Sequence, residues 1–179
     1  MQYLVRRDAE GADFLLAQLI RYLRHAMPKM RRPMSTLEQE FELADAFLQI
    51  ARMRMGGRLA VKVELAEPLH GLEFPPLVLQ TLVENALKHG VEPKLGPVTI
   101  TVRAEVTTSN GGEQLVLEVI DNGVGLGRAN TAGSGSGLTN IRERLCCIYG
   151  GRAAISVSDR ASGGVESQVV LSFPTQANA

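Results

Sequence analysis

The sequence predicts an α+β fold: a two-layer α/β sandwich whose mixed sheet is mostly antiparallel and is preceded by a helical hairpin. Over the first third of the chain, apolar residues recur near a period of 3.6, which indicates amphipathic helices. After Gly57 they alternate with polar residues, as in half-buried strands. Short turns join strands in pairs, so both helices of this region are expected on one face of the sheet.

The helical hairpin is predicted within residues 1–56. Its first helix is expected over residues 9–27, and the prolines that follow are expected to end it. Ser35 is expected to begin the second helix, with Glu38 reaching back to the cap amide, and an apolar stripe continues to Met55. The hairpin is either a packing appendage or a face for a partner or a second copy.

The sandwich is predicted over residues 57–175. The pair Asn110-Gly111 is typical of a hairpin turn, and residues 121–137 form a long loop rich in glycine. Strands are expected over residues 59–65, 98–106, 115–119, 153–157 and 165–173, and helices over residues 76–90 and 138–149.

Composition excludes several classes of function. The chain has 179 residues with 19 Lys and Arg against 19 Asp and Glu, so it lacks the basic excess that phosphate contacts of a nucleic-acid binder require. No apolar run approaches the roughly 18 residues of a membrane span. The adjacent cysteines Cys146 and Cys147 lack metal-site spacing. We therefore expect a cytoplasmic domain without nucleic-acid partner or direct membrane contact.

A first polar cluster ends the helix that follows Pro76. Glu84, Asn85 and Lys88 fall on or beside the face opposite its apolar stripe, and His89 follows them. A carboxylate, an amide and an amine there could hold a hydrated Mg²⁺ and nearby phosphate oxygens. A solvated polar face with a basic end that complements the helix dipole is the alternative interpretation.

A second cluster comes directly after a strand. An aspartate in the position of Asp121 can accept a hydrogen bond from an adenine amino group, and Gly123 and Gly125 would let a base approach the backbone. An ordinary Asp-Asn-Gly turn would explain the same residues.

A third cluster opens the last helix. Gly133, Gly135 and Gly137 precede Leu138, and backbone amides at a helix N-terminus bind anions. A flexible Gly/Ser linker is the other interpretation.

Taken in order, the three clusters resemble the motifs of one superfamily. LVENALKHG resembles the N box of the GHKL ATPases, DNGVGL resembles their G1 box, and GSGSGLTNIRERL resembles their G2 box. The fold that this resemblance implies is the Bergerat fold. The longer segments FPPLVLQTLVENALKHG and RYLR are similar to those of LytS-type sensor histidine kinases.

The resemblance implies roles for these residues. Asn85 corresponds to the asparagine that ligates Mg²⁺, and Glu84 to an acid whose part in phosphotransfer is less settled. Asp121 corresponds to the residue that reads adenine. Residues near the ATP phosphates or shaping the pocket would be Lys88, His89, Gly123, Gly125, Gly133, Gly135, Gly137 and Leu138. Residues 126–136 would form the nucleotide lid.

The function implied by the resemblance is that of a histidine kinase with the cofactors ATP and Mg²⁺. It would transfer the γ-phosphoryl group of ATP to a histidine and then to the receiver domain of a response regulator. The full-length protein would be a homodimer, anchored in the inner membrane. The family's acceptor segment, Pro-His-Phe-Leu-Phe-Asn, does not occur in the chain, so we expect Mg-ATP binding without autophosphorylation.

Three other functions remain open from the sequence. Two keep the fold and change the reaction: a GHKL ATPase and a serine kinase of the anti-sigma type. The third is a non-catalytic module for nucleotide binding or dimerisation.

Overall fold

The computed structural model describes residues 9–29, 34–109, 112–126 and 136–173. Its main elements are α1 (Ala9–Lys29), β1 (Ser35–Thr36), α2 (Leu37–Met55), β2 (Leu59–Leu65), β3 (Glu73–Phe74), α3 (Val78–Asn85), β4 (Val98–Ser109), β5 (Gly112–Asp121), α4 (Ser136–Tyr149), β6 (Ala153–Asp159) and β7 (Val165–Ser172). The predicted order of strands and helices is confirmed, with the short pair β1 and β3 in addition. The predicted turn at Asn110-Gly111 lies outside the described residues.

The main sheet is mixed, as predicted. Its five strands lie in the order β2-β4-β5-β7-β6. Only the β2–β4 pair is parallel, with Leu59 opposite Val98, because the crossover through α3 returns the chain in the same direction. The pairs β4–β5, β5–β7 and β6–β7 are antiparallel. β5 is therefore central, and its last residue, Asp121, lies deep in the molecule.

The hydrophobic core lies between one face of this sheet and the helices. α2 contributes to it as fully as the sheet does, because Leu37 and Leu48 are completely buried in the same cluster as Ile100 and Leu117. The predicted division into a helical hairpin and a sandwich at residue 56 stays a prediction. In the structure, α2 packs directly on the sheet of the sandwich.

The start of α2 differs by one residue from the prediction. Ser35 is held in the extended β1, so the helix begins after Thr36, whose hydroxyl accepts a hydrogen bond from the amide of Gln39 at 3.3 Å. Ser35 donates instead to the side chain of Gln39 at 3.1 Å. Glu38 is the second helical residue, and its carboxylate lies 3.3 Å from Nδ1 of His70. The capping motif was recognised, but its register was wrong.

α3 also starts later than its prolines suggest. Leu77 has a φ of 65°, an unusual left-handed conformation, and the helix begins at Val78. The preceding carbonyl, that of Pro76, accepts a hydrogen bond from Nη1 of Arg144 at 2.7 Å. The side chain of α4 thus helps to fix the point from which α3 starts.

α1 packs on α2 and leaves part of its apolar surface exposed. Arg21 forms an ion pair with Asp45 at 3.0 Å, and the rings of Tyr22 and Phe47 lie 6.1 Å apart. Among the side chains of α1 over residues 11–23, the large apolar ones that are exposed are Phe14, Leu16, Ile20 and Leu23. Within the described ranges, no helix is both long and apolar enough to cross a membrane.

We expect Leu48→Ala to lower the free energy of unfolding of the whole chain by about 2–5 kcal/mol, because it opens a cavity in the shared core. Urea denaturation followed by circular dichroism would measure the change. Leu95→Ala is the control: Leu95 is 91% exposed, so a change within about 0.5 kcal/mol is expected. A small effect at Leu48 would mean that α2 contributes little to the core.

Candidate functional site

The candidate site is built around the carboxylate of Asp121, the last residue of β5. Its side chain is only 2% exposed. Oδ1 accepts hydrogen bonds from the amides of Gly123 at 2.7 Å and Val165 at 3.3 Å, whereas Oδ2 takes part in neither bond. The bond to Gly123 is that of an Asx turn, so the turn predicted from Asp-Asn-Gly is present and also orients the carboxylate.

Burial raises the pKa of Asp121 above its ordinary value. The amides of Gly123 and Val165 act in the opposite direction, as do the positive charges of Lys94 and Arg160. The carboxylate is thus held in one orientation at an energetic cost. Perturbed, buried acids of this kind are common at functional sites.

Three glycines surround Asp121, and two of them, Gly90 and Gly164, come from distant segments of the chain. A Cβ on Gly90 would lie 2.6 Å from Oδ1 of Asp121, and one on Gly164 would lie 2.1 Å from its carbonyl oxygen. A Cβ on Gly123 would lie 2.2 Å from the carbonyl oxygen of Gly90. These distances leave no room for a larger residue, so the backbone itself encloses the carboxylate.

Hydrogen bonds fix the turn after Asp121. The side chain of Asn122 accepts from the amide of Thr99 at 2.8 Å, and the amide of Val124 donates to the carbonyl of Gly90 at 3.0 Å. Nζ of Lys94 donates to the carbonyl of Asn122. The turn is therefore tied both to β4 and to the end of α3.

Gly125 lies at the next bend of the same loop. It has a φ of 90°, and a Cβ there would lie 3.0 Å from Oδ1 of Asp159. The same oxygen accepts a hydrogen bond from the amide of Leu126 at 2.7 Å. Asp159 at the end of β6 thus holds the start of the predicted lid, of which residues 127–135 lie outside the described residues.

The predicted polar face of α3 is present. Glu84 and Lys88 are exposed and Asn85 and His89 are half-buried. The helix continues into a wider π-helical turn at Ala86–Val91. Such turns occur frequently at functional sites, and this one carries Gly90 to Asp121.

The N-terminus of α4 meets α3 beside Asn85. A Cβ on Gly137 would lie 3.2 Å from Cγ2 of Thr81 and 4.0 Å from Nδ2 of Asn85. Leu138 packs against the core and fixes the first turn of α4. The amides that open this helix therefore begin next to the amide side chain of Asn85. Gly133 and Gly135 lie outside the described residues.

The structure brings parts of the three predicted clusters together. Gly90, directly after the first cluster, contacts Asp121 of the second, and Asn85 of the first lies next to Gly137 of the third. Sequence reasoning missed four residues that shape the site: Lys94, Asp159, Gly164 and, as a packing residue, Gly90. Gly164 lies in the turn between β6 and β7. Nothing in the local sequence relates it to Asp121, because the pairing of β7 with β5 brings the two together.

The donor set fits a magnesium nucleotide better than a metal held by protein alone. Among the described residues, no group of three or more His, Cys, Asp or Glu could hold a metal. Asn85 offers one oxygen ligand, and Mg²⁺ usually takes its remaining ligands from phosphates and water. The site thus suits Mg²⁺ that arrives with a nucleotide.

Two family models match the chain. Residues 73–177 match the family described as histidine kinase-, DNA gyrase B- and HSP90-like ATPase, and residues 1–59 match the histidine kinase family. These matches agree with the motifs identified in the sequence and with the mixed sheet covered by helices.

Curated relatives are sensor proteins. The chain is 37% identical over 160 residues to the sensor histidine kinase BtsS of Escherichia coli, covering 87% of the chain and 27% of the relative. It is 34% identical over 179 residues to the sensor protein LytS of Bacillus anthracis, covering 94% and 30%. The chain therefore spans less than a third of the length of these relatives.

A solved structure has the same fold. The histidine kinase domain of a blue-light activated histidine kinase from Erythrobacter litoralis superposes with a TM-score of 0.56 at 17% identity. The superposition covers 88% of this chain and 74% of that one.

We expect Gly123→Ala to destabilise the chain by about 1–3 kcal/mol, because its Cβ would overlap the carbonyl of Gly90. Chemical denaturation would measure the loss. Gly71→Ala is the matched control, since a Cβ at Gly71 meets no atom within 4 Å and its φ is not positive. Equal effects of the two substitutions would contradict the packing around Asp121.

Asp121→Asn is expected to make the chain at least as stable as the wild type at pH 7. The raised pKa means that protonated Asp121 stabilises the fold fully below about pH 4. The wild type loses this stabilisation as the pH rises through the raised pKa of Asp121. The asparagine of the variant stays neutral, so the variant does not lose it. Unfolding free energies measured from pH 3 to pH 8 should show the advantage of the variant growing with pH; a constant difference would refute this.

Proposed function

The chain belongs to the family of histidine kinase-, DNA gyrase B- and HSP90-like ATPases, and from this we propose that it binds Mg-ATP as the catalytic part of a sensor histidine kinase. The transferred group would be the γ-phosphoryl of ATP. The observation that carries the proposal is the carboxylate of Asp121, which is 2% exposed and enclosed by glycines. One of these glycines, Gly90, follows α3, and Asn85 at the end of that helix lies next to the start of α4.

Asp121 is proposed to read the adenine base. The exocyclic amino group of adenine is a hydrogen-bond donor, and Oδ2 of Asp121 is outside the two bonds that anchor Oδ1. Guanine presents a carbonyl oxygen at the same position, which would face the carboxylate acceptor to acceptor. A preference for adenine over guanine is therefore expected.

Asn85 is proposed to ligate Mg²⁺, with the amides at the start of α4 binding the phosphates. This is supported by the proximity of Asn85 to Gly137 and by the positive end of the helix dipole. Lys88 and His89 on the next turn are proposed to lie near the phosphates, together with Gly133 and Gly135. Phosphoryl transfer depends mainly on such positioning and charge neutralisation.

Glu84 is proposed to act on the acceptor imidazole. It is exposed on the same helix face as Lys88, one residue before Asn85. A carboxylate there could accept a hydrogen bond from one ring nitrogen while the other attacks the γ-phosphorus. Residues 126–136 are proposed to close over the nucleotide as a lid.

The acceptor histidine is proposed to lie outside these 179 residues, and the final acceptor is proposed to be an aspartate on a response regulator. Among the histidines of the chain, His70 already contacts Glu38. The exposed apolar residues of α1 support a homodimer in the complete protein. Anchoring of that protein in the inner membrane is part of the same proposal.

We expect ATP to bind with a Kd below 1 mM, that is, more favourably than about −4 kcal/mol, and more tightly with Mg²⁺. Asp121→Asn should weaken ATP about 10- to 100-fold, the cost of a lost hydrogen bond to a charged group. Asn85→Ala should remove the gain from Mg²⁺. Isothermal titration calorimetry with a nonhydrolysable analogue measures all three.

GTP analogues serve as the control for the base. They should bind at least 10-fold more weakly than ATP analogues to the wild type, a discrimination of at least about 1.4 kcal/mol. Equal affinity for both nucleotides, or ATP binding unaffected by Asp121→Asn, would contradict the proposed pocket.

A further inference from the structure

A buried glutamine supports the exposed carboxylate of Glu84. Gln80 lies one helical turn before Glu84 on α3 and is only 4% exposed. Its Nε2 donates a hydrogen bond to Oε1 of Glu84 at 2.8 Å. Glu84 itself reaches the surface, so one of its oxygens is held from below while the side chain remains accessible.

The side-chain amide of Gln80 has one satisfied end and one unsatisfied end. Its Oε1 is fully buried and has no hydrogen-bond partner among the described residues. A buried, unpaired oxygen destabilises the fold, so an apolar residue of similar size would suit the core better. The opposite amide orientation would set Oε1 against the carboxylate, which is repulsive. In the observed orientation, Glu84 receives a hydrogen bond, while the side-chain oxygen of Gln80 is left without a partner among the described residues.

The negative charge of Glu84 also acts on a side chain of the helical hairpin. Burial raises the pKa of Tyr22 on α1, and the negative charge of Glu84 raises it further. Tyr22 in turn packs against Phe47 of α2 at a ring separation of 6.1 Å. Glu84 is thus close enough to α1 for its negative charge to act on Tyr22.

We propose that Gln80 is a positioning residue for Glu84 in phosphoryl transfer, a role that rests on the proposed function. The lone pair of one imidazole nitrogen forms the bond to the γ-phosphorus. The bond from that phosphorus to the bridging oxygen breaks, and its electron pair leaves on ADP. Glu84 accepts the proton of the opposite ring nitrogen, and the bond from Gln80 keeps its carboxylate aimed at that proton.

Gln80→Met tests this role because it removes the donor and keeps a side chain of similar length. The initial rate of phosphohistidine formation from γ-labelled ATP is measured on the longest natural protein that contains the chain. The rate is expected to fall at least about 10-fold, within the contribution of a general base. The Kd of a nonhydrolysable ATP analogue should change less than about 2-fold, and stability should not fall.

A double-mutant cycle separates positioning from an independent effect. If Gln80 acts through Glu84, Gln80→Met should have little further effect on the rate in a Glu84→Gln background. Gln49→Met is the matched control: Gln49 donates to Asp45 at 2.8 Å across one turn of α2, and its loss should leave the rate unchanged.

Several outcomes would overturn the role of Gln80. One is an unchanged rate in Gln80→Met. Others are an equal loss of rate with and without Glu84, or a loss explained by weaker ATP binding or lower stability. A wild-type protein that neither binds ATP nor forms phosphohistidine would instead refute the proposed function, and the role of Gln80 with it.

Discussion

The candidate site depends on the burial of one carboxylate among backbone atoms. Asp121 is desolvated at the end of the central strand, where two backbone amides and the positive charges of Lys94 and Arg160 offset part of the cost. Gly90, Gly123 and Gly164 permit this because each brings backbone to a distance that a Cβ would prevent. The end of α3, the end of β5 and the β6–β7 turn therefore all meet at Asp121.

The start of α4 also meets α3 close to the end of that helix. α3 ends in the π-helical turn that reaches Asp121, while α4 begins where Gly137 contacts Thr81. The polar face of α3 is thereby placed beside the positive end of the α4 dipole. Asn85 lies at this junction, next to Gly137.

The helical region is joined to this site through packing. α2 shares the core of the sheet, and α1 packs on α2 through the ion pair of Arg21 with Asp45. Gln80 on α3 donates a hydrogen bond to the carboxylate of Glu84, while its own side-chain oxygen is buried without a partner among the described residues.

Periodicity, turn residues and motif spacing are local properties, so the order of the strands and helices, their mostly antiparallel pairing and the three polar clusters could be predicted from the sequence. It misplaced the cap of α2 by one residue, since the pairing of Ser35 with Phe74 decides where that helix starts. Only the tertiary structure decided that Gly164 and Asp159 adjoin the loop after Asp121, and that Gln80 is buried beneath Glu84. These contacts join segments far apart in sequence or depend on burial, and both arise only when the strands pair and the helices close over the sheet.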